Sequence, residues 1–492
     1  MNPYGEPVQH AKRWNSTPDG GADAESPLPV VGTAGTTGIQ RLVVVGFILC
    51  AAGRALLIPL FGSVDEVNHL DYAFQLWHGQ WPDFFEGPVI PGAGPKTPLS
   101  VQAVSQHPPL FYLIMAPFAG PLTDSFGVLV AGLAARAVNV LLGAAAVAMI
   151  GYAARVAFPK NRLLAPVATL IAATCCSMLG VAGAVYNDTL ATALTAACIA
   201  LTFQFIRSGP SRRRWILLAV VCCAALLTRL SLMVVVAVCM AAVVAEGIAR
   251  GAGRDRWGRW TSLANAVLVG ALVALSSGWF YLRNLHLTGT ITGGHPEWAA
   301  EHFNTVAVSV GELAMRPETW QRLLSLFVPV PALGRVGLLL ILVPAACGLG
   351  AGVLAIARKQ VTKADIVVVG LLGVEAVLIV AMQLKYSAGG GGLHPRYLLP
   401  TLLTLAVVMA GGLTCSRRLA GVATGAWLAA WAVFFVRWWW QQAQQFSASP
   451  DGGFPAWPVP ATVLLCAGLV VWTGAVIRIG GLGRFRSSTT GK

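Results

Sequence analysis

Asp65 and Glu66 stand side by side in "LFGSVDEVNHLDYAFQLW" (60–77), directly after an apolar run, in a chain of which only 11% is charged. Adjacent carboxylates there have two ordinary uses. They can cap a helix, because acids favour its N-terminus, or one of them can serve as a base that takes the proton of a hydroxyl. His69 and Tyr72 follow Asp65 by four and seven residues, a spacing that puts all three on one helix face and lets them converge. Val67, Leu70, Phe74 and Trp77 make a separate apolar stripe, which predicts an amphipathic helix over 67–78 lying along a membrane surface. In "SQHPPLFYL" (105–113), Pro108 and Pro109 fix φ and make a rigid lead into a short helix, with His107 held just before it. "VYNDTLATAL" (185–194) sets Tyr186, Asn187 and Asp188 between two apolar runs, where Asn and Asp also serve as plain turn residues.

Three arginines occupy run ends: Arg229 in "LLTRLSL", Arg283 beside Asn284 in "WFYLRNLHLTG", and Arg396 beside Tyr397 in "GGGGLHPRYLLP". A guanidinium fork matches phosphate oxygens, and the competing reading is snorkelling or pairing with nearby acids. Arg54, Arg136 and Glu375 fall inside apolar runs. Arg136 is expected to reach the site, and Arg54 and Glu375 read as structural or partner-seeking. A divalent metal bridging Glu66, a histidine and a phosphate is compatible with these donors, but no ligand set has diagnostic spacing. The ten cysteines lie in apolar runs or at their ends without a CxxC pair, which speaks against zinc. The glycine runs at 389–392 and 480–483 lack the context of a nucleotide-binding loop.

The elements that position these groups follow from composition. The apolar fraction is 56% and mean hydropathy is +0.68, which indicates an all-α integral membrane protein. Apolar runs at 39–61, 127–157, 162–184, 189–207, 214–228, 231–248, 262–284, 336–357, 364–384, 397–414, 419–437 and 459–478 predict twelve spans. A thirteenth is added if 107–121 crosses. With 107–121 at the surface, "FPKNR", "RSGPSRRR", "ARGAGRDRWGRW", "ARKQVTKAD", "CSRR" and the basic C-terminal tail share one side. That side is cytoplasmic by the positive-inside rule, and both termini lie on it. The net charge of +14 is thus a topology signal rather than a nucleic-acid footprint. Residues 1–38 read as a disordered cytoplasmic tail, and the late, long first run argues against a cleavable signal peptide. Residues 39–285 form a first membrane module carrying the extracytoplasmic loop 62–106. Residues 286–492 form a second, with loops 285–335 and 438–458, and Trp438, Trp439 and Trp440 suit an interfacial belt.

"VDEVNHLDYAFQL", "HPPLFYL", "AARAVNVLLGA", "YNDTLATAL", "LLTRLS", "WFYLRN" and "HPRYLLP" occur in the order seen in membrane glycosyltransferases of the GT-C class. Over roughly residues 40–400 the chain resembles the bacterial relatives of protein O-mannosyltransferases and aminoarabinose transferases. The resemblance implies surface helices in the first extracytoplasmic loop and a plasma-membrane location. It also implies inverting transfer of a sugar from a polyprenyl-phosphate donor to a hydroxyl acceptor on a glycan, lipid or protein. It makes Asp65 the acidic residue that acts as catalytic base, with Glu66 its neighbour, and places Arg396 and Tyr397 beside the donor phosphate. Arg229 stands where many relatives carry Lys. The competing classes are a transporter or lipid flippase, for which paired repeats are missing, and a lipid-linked polysaccharide ligase or polymerase, which the early Asp-Glu loop fits less well.

Overall fold

The computed structural model describes residues 33–92, 101–251, 256–303, 307–328, 336–447 and 454–484. Of the sequence expectations, most of the N-terminal tail (1–32), parts of the loops (93–100, 304–306, 329–335, 448–453) and the C-terminal residues 485–492 lie outside them.

Among the described residues every regular element is a helix, as runs of 15 or more apolar residues in lipid require, because only intra-segment hydrogen bonds satisfy the backbone there. In chain order they are α1 (Thr33–Leu57), α2 (Glu66–Trp77), α3 (Leu110–Phe126), α4 (Val128–Ala157), α5 (Leu164–Ala173), α6 (Cys176–Ala182), α7 (Asp188–Ser208), α8 (Arg212–Leu226), α9 (Met233–Gly251) and α10 (Arg256–Thr288). Three short helices follow, α11 (Pro296–Phe303), α12 (Val310–Met315) and α13 (Pro317–Leu324). The last five are α14 (Leu339–Ala357), α15 (Lys363–Ala388), α16 (Leu402–Leu413), α17 (Ala420–Ser447) and α18 (Pro458–Arg484), with a 3-10 turn over Pro395–Thr401 leading into α16.

The chain is a multi-pass membrane protein. Ten of its described helices are long and apolar enough to cross a bilayer, and eleven spans result if α5 and α6, bent by 60° at their junction, count as one. The predicted run 214–228 meets α8, whose 15 residues rise only about 22 Å against a ~30 Å hydrocarbon core, which keeps it out of that count although it carries the chain from the Ser208 end of α7 back to where Arg229 pairs with Asp188. The predicted tail is also shortened, since α1 begins at Thr33.

Whether 107–121 crosses is answered by its neighbours. Arg136 of α4 donates to the carbonyls of Ala55, Ile58 and Pro59, so the end of α1 and the start of α4 lie together. The intervening chain therefore leaves and returns at one end of the bundle. The amide of Leu110 bonds the Leu227 carbonyl at 3.0 Å, and α3 packs along α2. The run at 107–121 does not cross.

The helix expected to float on the surface is instead enclosed. Glu66, Val67, Asn68, His69, Leu70, Asp71, Tyr72, Ala73 and Gln75 of α2 are all buried. The cause is Asp71. Its Oδ1 accepts the amides of Val89 (2.7 Å) and Ile90 (2.8 Å), and its Oδ2 accepts the Gln75 (2.8 Å) and Gln102 side chains, folding the rest of the loop over the helix.

Helix contacts in the bundle rest on small residues, since lipid supplies no hydrophobic drive between spans. A methyl group at Gly348 would lie 2.0 Å from the Val408 carbonyl, and one at Gly412 would lie 2.0 Å from that of Pro344, so α14 and α16 touch backbone to backbone. The expected aromatic belt is only partly present. Helix α17 continues to Ser447, burying Trp439, setting Trp438 against Arg54 and leaving Trp440 facing outward.

Candidate active site

Asp65 has φ +66°, left-handed backbone that Asp tolerates better than most residues. It precedes α2 without capping it. The carboxylate turns instead to Arg396, whose Nη2 donates to its Oδ2 at 2.6 Å across 331 residues of chain. Pro395 opens the turn that delivers Arg396 and supplies the fixed φ of a first helical position. The Arg396 guanidinium sits 4.6 Å from the centre of the Tyr186 ring and 5.3 Å from that of Tyr397. Arg229 pairs with Asp188 and lies 5.1 Å over the same Tyr397 ring. Asn187 is buried beside them, with its amide nitrogen unpartnered. Asp65, Tyr186, Asn187, Asp188, Arg229, Arg396 and Tyr397 thus meet at the end of the bundle where α1 ends and α7 begins. Two carboxylates and two guanidiniums balance in charge, and each arginine keeps an aromatic face.

The acidic pair divides. Glu66 is fully buried, and both of its oxygens are occupied. Oε1 accepts Arg136 Nε (2.7 Å) and the Val185 amide (3.1 Å), and Oε2 accepts Arg136 Nη2 (2.7 Å) and the Phe61 amide (3.0 Å). Arg136 meanwhile satisfies the last carbonyls of α1, which have no helical partner. Neither residue keeps a face for a ligand, so Glu66 beside the reaction and Arg136 reaching into it are both replaced by a closed strut. Glu66 also has no free lone pair to offer the metal that the sequence allows, since each of its oxygens already takes two donors. Among the described residues no three His, Cys, Asp or Glu side chains gather as a cation site.

Asp65, His69 and Tyr72 do not converge. The only Asp65–His69 bond is the backbone one, His69 Nδ1 faces the Tyr112 hydroxyl at 3.0 Å, and Tyr72 donates to the His107 carbonyl at 3.0 Å. The His69 ring meets Tyr186 edge-on at 5.1 Å and stacks with His107 at 6.2 Å. These rings form an uncharged wall. Burial, with Arg229 and Arg396 nearby, holds His69 well below the usual histidine range. Burial first and then Arg229 push His107 down to about 3. A histidine kept neutral in the fold but charged in the unfolded chain stabilises the protein fully above its unfolded pKa near 6.5, and that contribution is lost as pH falls towards 3. Thermal stability in detergent should therefore decline over this window, with a shallower decline in His107→Gln. An unchanged slope in that variant would count against a buried neutral His107.

Asn284 pins the approach to this wall, donating to the Gln106 carbonyl at 3.1 Å. Arg283 stays outside the Asp65 cluster. Its guanidinium lies 5.5 Å over Trp81 and 5.8 Å over Phe280, with no ion pair among the described residues. Sequence reasoning missed Asp71 and Gln102 as organisers of the loop. The signal was a second acid on α2 with a glutamine four residues on, but its partners lie 18 to 31 residues away.

No protein-family model matches the chain, and no curated protein matches it. Among solved structures, apo ArnT from Cupriavidus metallidurans aligns over 91% of this chain and 78% of its own, at 15% identity and a TM-score of 0.50. The fold is that of the GT-C membrane glycosyltransferases. Other GT-C structures are found with lower scores. ArnT bound to undecaprenyl phosphate covers the same shares at 17% identity and TM-score 0.48. The archaeal oligosaccharyltransferase AglB from Archaeoglobus fulgidus, in complex with an inhibitory peptide and a dolichol-phosphate, covers 91% of this chain and 56% of its own at 11% identity and TM-score 0.40. Against apo ArnT, the resemblance carried by short motifs extends to the fold over 91% of this chain.

Proposed function

We propose that this chain transfers a sugar from a polyprenyl-phosphate donor to a hydroxyl acceptor at the extracytoplasmic face of the plasma membrane, inverting the anomeric centre. The observation that carries the reading is the 2.6 Å contact between Asp65 and Arg396, which sets a carboxylate and a phosphate-matching guanidinium at one point. The GT-C fold supports it, as does ArnT, a protein of that fold also seen with undecaprenyl phosphate.

In this reaction the acceptor oxygen bonds C1 as its proton passes to Asp65, and the bond from C1 to the phosphate oxygen breaks. The electron pair leaves on the lipid phosphate. Its growing charge is met by Arg396 and assisted by Arg229, with Tyr397 keeping both guanidiniums in register. Arg283, unpaired above Trp81, offers the lipid phosphate a first cation on its way in. The resting Asp65–Arg396 pair is then a latch. An arriving phosphate draws Arg396 to itself and releases the carboxylate to act as base.

Binding of undecaprenyl phosphate to the purified chain tests the phosphate assignment. Arg396→Ala should weaken it by at least about tenfold, the value of one charge-assisted hydrogen bond. Arg396→Lys should recover part of the affinity, because charge returns without the fork. Equal affinity in all three proteins would take Arg396 off the donor.

A further inference from the structure

A cavity of about 470 Å³ lies beside the cluster, lined by Arg54, Ser177, Gly180, Arg322, Ser325, the stretch Gly392–Pro395 and Trp438. Pro395 on its wall immediately precedes Arg396, so one turn of chain separates it from the Asp65 centre. Arg54, in the last turns of α1, is 9% exposed, and its Nε and Nη1 are buried with no hydrogen-bond partner. Its guanidinium is held 4.8 Å from the Trp438 ring. Arg322, also on the lining, is exposed and has no ion pair or hydrogen bond from its side chain among the described residues, and no carboxylate lines the space. An unpaired buried guanidinium is costly unless something answers it. Here one such guanidinium, Arg54, shares a cavity with the exposed Arg322, with free polar surface and no acid on the lining.

We infer that this cavity binds an oxyanion, phosphate or carboxylate, carried by a saccharide acceptor. Arg54 and Arg322 take the charged group, while Ser177, Ser325 and the face of Trp438 take the sugar ring. The inference rests on the transferase reading, since the occupant beside a donor centre is its second substrate, but the binding site itself stands on the geometry alone. A saccharide suits the space better than a lipid chain, because its lining includes Ser177 and Ser325 and two arginines as well as the Trp438 indole. The volume falls among ordinary small-molecule sites, which span roughly 300–1,000 Å³. The anion would be seated so that a neighbouring hydroxyl of the same molecule reaches Asp65 past the Pro395–Arg396 turn. The enzyme would then select acidic acceptors over neutral ones.

The test is equilibrium binding to the full chain in detergent with five probes: glucose 6-phosphate, glucuronate, glucose, phosphatidylglycerol as a competitor, and undecaprenyl phosphate as a report on the donor centre. Either anionic sugar should bind at least about tenfold more tightly than glucose, the discrimination expected of a charge-assisted pair. Arg54→Gln and Arg322→Gln should each remove that preference. Gly180→Leu should do so without touching a charge, because a side chain added at Gly180 meets only open space in the cavity. Undecaprenyl phosphate should bind all three variants as it binds the natural chain. Equal binding of glucose and both anionic sugars, or a preference that survives both arginine variants, overturns the proposal. So does loss of undecaprenyl phosphate binding in Arg54→Gln, which would make the cavity part of the donor centre. Phosphatidylglycerol displacing the anionic sugars more strongly than they displace one another would assign the cavity to lipid and also overturn it. If the sugar preference follows this pattern while no lipid-phosphate sugar is ever turned over, the transferase reading fails and the anion site remains.

Discussion

Asp65→Asn is expected to lower sugar transfer by roughly a hundredfold to ten-thousandfold, the usual contribution of a positioned base, while leaving the protein folded and its donor affinity unchanged or higher. The variant is clean for a backbone reason. Asp65 sits at φ +66°, and Asn is one of the few residues that accept the left-handed region with little strain. An alanine there would mix strain with lost chemistry. The amide keeps the volume of the carboxylate but cannot take a proton, and it no longer holds Arg396 by charge. Freed of its resting partner, Arg396 can meet the lipid phosphate without first breaking an ion pair, so undecaprenyl phosphate should bind Asp65→Asn at least as well as the natural chain. The signature is a collapsed kcat beside a donor Kd that is the same or lower. Near-normal turnover would remove Asp65 from the chemistry, and a donor Kd raised in parallel with the loss of turnover would remove the latch.

How much of this the sequence carried depends on the range of the interaction. Spans were legible because twenty or so apolar residues have one stable solution in lipid. So was the grouping of Asp65, Arg229 and Arg396 at one end of the bundle, because charge at the edge of a bilayer needs a reason. Partner choice was not legible. Nothing local distinguishes Asp65 from Glu66, yet one faces Arg396 from 331 residues away and the other Arg136 from 70. The i, i+4 rule gave the right helix and the wrong contacts for His69, because it fixes which side chains share a face and not what covers it. Enclosure by the loop, directed by Asp71, turned that face inward. Arg54 shows the converse. Intramembrane charge flagged it, but the cavity that gives it meaning is assembled from α1, α6, α13, α17 and the 392–395 stretch, none adjacent in sequence.

Arg136→Met should destabilise the protein by about 3–5 kcal/mol, the cost of leaving one member of a buried ion pair alone. Arg136 and Glu66 are 1% and 0% exposed, so solvent cannot replace the lost partner. Two separate losses are combined. The Glu66 carboxylate keeps only the amides of Phe61 and Val185, and the carbonyls of Ala55, Ile58 and Pro59 lose their donor. Adding Glu66→Gln should recover the first loss and not the second, because the neutral amide no longer needs a countercharge while the end of α1 stays unsatisfied. The double variant should therefore be less destabilised than the sum of the single ones, a non-additivity that thermal or denaturant unfolding in detergent can read. The same pair of variants separates a strut from a catalytic acid. As a strut, Glu66→Gln loses stability first, and its remaining folded fraction turns over substrate with a modest deficit, since the segment carrying Asp65 is less firmly fixed. As a second catalytic carboxylate, Glu66→Gln would match Asp65→Asn in lost turnover with its melting temperature intact. The four hydrogen bonds already closed around Glu66 favour the first outcome, because a base whose lone pairs are all engaged has none with which to take a proton.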